Sequence, residues 1–145
     1  MKKYKKLNYE EEDLESLSNS DLKRLGDYWL RNYLLHEQNS AYYFCPLKNK
    51  NYSEDKMHVA HFIDRGIMNT RFDLVNCHLV SADSNTYDAQ VQIEGFKSKH
   101  HMEYELYLIK KYGKEVVEDL KKRGKELKMF TKKDYIEIIK KFRNA

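Results

Sequence analysis

The sequence predicts an α+β fold, mostly α-helical, in which a small unit of two strands and a short helix is embedded among longer helices. Three observations point there. Apolar residues recur at helical spacing over 18–38 and again between 97 and 143. Between those stretches, β-branched and aromatic residues gather in short runs punctuated by Pro46 and Gly66. The chain has 145 residues, the size of one domain, and such a domain buries roughly 68–70% of its unfolded surface without staples. No repeat or linker divides it, so residues 1–145 read as a single domain.

Residues 1–17 read as a polar lead-in that Tyr4, Leu7 and Tyr9 could partly order. A helix follows over 18–38. Ser18 or Ser20 can cap it, Asp21 suits the positive end of its dipole, and Leu22, Leu25, Trp29, Leu30, Tyr33 and Leu34 form its apolar face. Gly26 inside that helix costs about 1 kcal/mol against alanine, which suggests a close contact there. The finger unit spans 41–90. Tyr42–Cys45 suits a short strand, residues 57–63 a second, and 72–80 a third that returns after a loop around Gly66. Phe72, Leu74 and Cys77 are expected on one side of that last strand. Ser81 or Asp83 can then cap a short helix carrying Asn85. The remaining helices fall before Gly113, over 114–127, and after Thr131, where Tyr135, Ile138, Ile139 and Phe142 make the stripe.

Composition narrows the function. A chain that is 41% hydrophobic and 34% charged is globular, with a wet surface. Two cysteines, Cys45 and Cys77, make no disulfide framework and fit a reducing compartment. No apolar run is long enough to span a membrane, and the basic N-terminus has no apolar region behind it, so no membrane association and a cytoplasmic location are expected. Residues 97–145 hold 15 Lys or Arg against 8 Asp or Glu, whereas residues 1–96 hold 12 against 15. The C-terminal third is therefore the expected face for a polyanion, with Lys97, Lys99, Lys110 and Lys111 as phosphate contacts.

The segment 56–85 concentrates chemistry. On a strand, His58 and Ala60 share one face and His61 takes the other. A hairpin would bring Asn76 beside that strand, and the helix would fold Asn85 back over it. A divalent cation, Mg²⁺ or Mn²⁺, would find oxygen and imidazole donors there. An unliganded histidine has a pKa suited to taking a proton from water at neutral pH, and Arg65 could clamp a phosphate. An ion pair of Arg65 with Asp64 or Asp73 is the plainer alternative. Together these parts suffice for metal-assisted hydrolysis of a phosphodiester.

The order and spacing of His61, Asn76 and Asn85 resemble the HNH, or ββα-metal, nuclease family. More narrowly, His58, His61, Arg65, Arg71, Phe72, Asn76, Cys77, His78 and Asn85 resemble the pattern of the phage lambda NinG/Rap recombination proteins. The resemblance covers roughly residues 20–125, with Trp29 and Arg31 matching the N-terminal part; the final helix finds no counterpart. It implies a metal-dependent endodeoxyribonuclease acting on branched DNA such as a Holliday junction, in a phage or prophage setting. His61 would be the general base, Asn76 would hold the loop and orient His61, Asn85 and His58 would ligate the metal, and Arg71 would contact DNA. Symmetric cutting of a junction would require a homodimer.

Two departures from the family pattern carry expectations of their own. Many HNH enzymes place an acidic ligand where this chain has Ala60; His58 could replace it, and His61 itself or Asp64 are the other candidates. The two C-x-x-C pairs of zinc-bearing fingers are reduced to Cys45, Ser81 and Ser84, and hydroxyls are poor structural zinc ligands. No structural zinc is therefore expected, and packing and hydrogen bonds, with Tyr42, Phe44, Ser81 and Ser84 taking part, should hold the knuckle. Alternative readings are a sequence-preferring HNH nicking enzyme or a DNA-binding recombination protein whose site has decayed.

Overall fold

A computed structural model describes residues 11–38, 42–82, 84 and 99–145. Two helices, α1 (Glu11–Ser16) and α2 (Asn19–Gln38), open this part of the chain. Ser18 Oγ accepts the Asp21 amide at 3.1 Å and so serves as the cap. The lead-in is more structured than expected, because Leu14 of α1 is fully buried against α2 and the last helix. Tyr4, Leu7 and Tyr9 lie outside the described residues.

Two small antiparallel ribbons follow. Strands β1 (Tyr43–Cys45) and β2 (Lys50–Tyr52) form the first. Strands β3 (Met57–His61) and β4 (Cys77–Ser81) form the second, in a register that sets His61 opposite Cys77 and His58 opposite Val80. The expected strand over 72–80 is shorter than predicted. Asp73 Oδ1 accepts the Val75 amide at 2.8 Å and the Asp73 carbonyl accepts the Asn76 amide at 2.9 Å, so 73–76 are turns. The loop around Gly66 contains one turn of helix, α3 (Met68–Arg71).

Three helices complete the fold: α4 (Lys99–Tyr112), α5 (Lys114–Gly124) and α6 (Lys132–Arg143). Gly113 adopts φ 97° between the first two, a conformation that favours glycine. Thr131 and Asp134 form a full capping box at the start of α6. The core lies in two layers on either side of the β3–β4 ribbon. On one side Leu14, Leu22, Leu25 and Leu30 of α1 and α2 meet Tyr135, Ile136, Ile139 and Phe142 of α6. On the other, Ala60, Leu79 and Val80 meet Tyr104 and Leu108 of α4 and Val117 and Leu120 of α5. β4 is consequently buried at all five positions rather than at alternate ones.

Candidate functional site

The site is assembled from α2, β3 and the loop that follows it. Asn76 is fully buried and ties both ends of that loop together. Its Oδ1 accepts the Ile63 amide at 2.7 Å, and its Nδ2 donates to the carbonyls of Ile63 at 3.1 Å and Thr70 at 3.0 Å. Asn76 thereby bridges the two ends of the loop. Its bonds run to Ile63 and Thr70 rather than to His61, so its influence on the histidine passes through the backbone.

The loop delivers Arg71 beneath His61. His61 Nε2 donates to the Arg71 carbonyl at 2.8 Å, because a carbonyl can only accept. That bond assigns the proton to Nε2 and leaves Nδ1 with its lone pair. Burial lowers the His61 pKa, against an opposing pull from that hydrogen bond and from the Asp27 carboxylate. The ring is therefore held neutral at pH 7, with one basic nitrogen.

Arg71 differs from its expected role as a DNA contact. It is 6% exposed. Its Nε and Nη2 reach Asp27 Oδ1 and Oδ2 of α2 at 3.0 and 2.5 Å, and its Nη1 donates to the Arg65 carbonyl at 2.8 Å. The whole fork is spent inside the protein. The Cys77 thiol also donates to the Arg71 carbonyl, at 3.1 Å, and burial raises its pKa well above the ordinary value, so it stays protonated.

A cavity of about 240 Å³ opens between α2 and β3, and Asp27, Leu30, Arg31, His58, Val59, His61 and Arg65 line it. His58 and His61 thus face one space, although strand alternation puts them on opposite faces. Among the described residues β3 pairs only with β4, and Arg31 Nη2 draws the start of the strand to α2 through the Met57 carbonyl at 3.3 Å. Arg65 is exposed, and its guanidinium bonds no other described residue. The alternative of an ion pair does not form: Asp64 accepts the Gly66 amide and Asp73 pairs with Arg123. A larger cavity of about 660 Å³, lined in part by Trp29, Tyr33, Glu37, Glu54 and Phe142, contains neither histidine. Its charged lining is mixed, with Glu37 and Glu54 beside His36 and Arg143, whereas the smaller cavity gathers His58, His61 and Arg65 and is the better candidate.

Among the described residues, no group of three or more His, Cys, Asp or Glu side chains is arranged to hold a metal ion. At the cavity His58 hydrogen-bonds no other described residue, whereas both Asp27 oxygens are already engaged by Arg71. A complete ligand set would need Asn85, which lies outside the described residues, as does Lys97. Lys99 begins α4, with its side chain outside the description. Lys110 is exposed; Lys111 is exposed and lies 5.3 Å from the centre of the Tyr112 ring.

The residues of the reduced C-x-x-C pairs do converge. The Ser81 amide donates to Cys45 Sγ at 3.2 Å, and Ser81 Oγ donates to Ser84 Oγ at 3.0 Å, all in buried surroundings. Tyr42 and Phe44 are 62% and 43% exposed, while Tyr43 and Leu47 pack against the buried cluster there.

Asp27 and Cys77 are the site residues that sequence reasoning did not single out for this role. Asp27 meets Arg71 across 44 positions, and no local spacing signals such a pair. No model of a known family, no curated protein and no solved structure matches the chain. No helix among the described residues is long and apolar enough to cross a membrane.

Proposed function

We propose that this protein is a metal-dependent endodeoxyribonuclease of branched DNA, with His61 as the general base. The observation that carries this reading is the bond from His61 Nε2 to the Arg71 carbonyl. It leaves Nδ1 as the ring nitrogen with a lone pair, and the ring lines a cavity together with Arg31 and Arg65. His61 Nδ1 takes a proton from water, and the oxygen adds to phosphorus. The phosphorus–oxygen bond to the leaving strand breaks, and that oxygen is protonated by solvent, giving a phosphomonoester and a hydroxyl. Arg65 holds a phosphate oxygen by its fork. A divalent cation held by His58 and Asn85 would supply charge neutralisation at the scissile group. Exposed lysines such as Lys110 on α4, with Lys97 and Lys99, supply salt-dependent grip on the backbone. Two like cuts in a four-way junction would come from a homodimer.

Cleavage of four-way, flap and linear DNA with Mg²⁺ or Mn²⁺ tests the reading. The intact protein should cut the branched forms, and His61→Ala should bind them but cut about 10²–10⁴-fold more slowly. Preferential cutting of linear duplex would make it a nicking enzyme. Binding without cutting by the intact protein would leave a DNA-binding protein.

A further inference from the structure

We infer that Asp27 of α2 is a positioning residue: its carboxylate, acting through Arg71, fixes the carbonyl that sets the His61 tautomer. The consequence for cleavage rests on the nuclease reading above; the geometry does not depend on it. Arg71 carries both halves of the device. Its guanidinium is gripped at two points by Asp27, at 3.0 and 2.5 Å, and at a third by the Arg65 carbonyl at 2.8 Å. Its own carbonyl receives His61 Nε2 at 2.8 Å and the Cys77 thiol at 3.1 Å. The Arg71 side chain is 8% exposed, so its charge needs a partner where it stands.

Without the Asp27 charge, the guanidinium must move toward water, and it takes the α3 backbone with it. Displacement of the carbonyl by about 0.5 Å is enough to spoil a site of this kind. His61 could then carry its proton on either nitrogen, and the molecules with the proton on Nδ1 have no base there. An ion pair with a structural role alone would lower stability on removal but leave the histidine of the folded protein unchanged.

The test uses the full chain with Asp27→Asn, which keeps the shape and removes the charge. Long-range ¹H–¹⁵N NMR of the metal-free protein reads the His61 ring nitrogens. The intact protein should show a protonated Nε2 and a bare Nδ1, and the variant should show averaged nitrogens. Cleavage by the variant should fall about tenfold in kcat with KM for DNA unchanged. Nitrogen shifts identical to those of the intact protein would overturn the inference, whatever the stability. If the variant does not fold, Arg71→Lys, which keeps the cation and loses the fork, is read the same way. If the intact protein cuts no DNA, the nuclease reading fails while the NMR result still decides the role of Asp27.

Discussion

Arg71 and His78 show how burial decides what a polar residue does. A guanidinium on the surface would be a phosphate contact; buried against Asp27, it is a fixed strut under His61. His78 is a second neutral histidine, with a different purpose. His78 Nδ1 shares a hydrogen bond with the Tyr104 hydroxyl at 2.9 Å and Nε2 with the Tyr112 hydroxyl at 2.8 Å, one ring nitrogen donating and the other accepting. Both ring nitrogens are consumed, which suits packing rather than catalysis. Burial, with the Lys111 charge adding to it, lowers the His78 pKa to about 3. The unfolded chain takes up a proton near pH 6.5 that the native protein refuses until about pH 3. Stability should therefore fall as pH drops through that window, by on the order of 5 kcal/mol from this residue across the whole of it. Urea unfolding at pH 7, 6, 5 and 4 measures it. His78→Gln should flatten the slope, and a flat profile in the intact protein would contradict a buried neutral His78.

At the scale of elements, α2 and α6 do most of the organising. Gly26 lets α2 approach the site loop, because a Cβ there would stand 3.0 Å from Phe72 Cε1. Gly26→Val should overpack this contact and cost about 1–3 kcal/mol in chemical denaturation. The start of α6 depends on its capping box, where Thr131 Oγ1 accepts the Asp134 amide at 3.3 Å and Asp134 Oδ2 accepts the Thr131 amide at 2.8 Å. Thr131→Ala should lower stability by about 1 kcal/mol. The same measurement made on Lys133→Ala, an exposed position next door, should show almost no change.

For the whole molecule, the ribbon that carries His61 is held from both sides by helices distant in sequence. The final helix, which the resemblance left without a counterpart, closes one of the two layers. Ending the chain before Thr131 removes Tyr135, Ile136, Ile139 and Phe142 from the core and uncovers Leu14, Leu22 and Leu25. Each buried apolar side chain is worth about 1.5–3 kcal/mol, so roughly 6–12 kcal/mol is lost, comparable to the whole stability of a domain. The shortened chain should lose NMR dispersion across β3 and β4, and with it the ordered site.

Much of this was legible in the residues themselves. Local rules act over a few positions, so the helix stripes, the Ser18 and Thr131 caps, the glycine at 113 and the extended character of 57–61 could all be read directly. Turn chemistry at Asp73 competes with strand propensity over 72–76, and the turn prevails. The fate of Arg71 could not be read at all, because it depends on a carboxylate 44 positions away that reaches it only when α2 packs against the site loop. Periodicity and capping are properties of neighbouring residues, and by themselves they determined the helices and ribbons. Burial and long-range pairing exist only in the packed molecule, and they alone decided which arginine is buried and which nitrogen of His61 carries the proton.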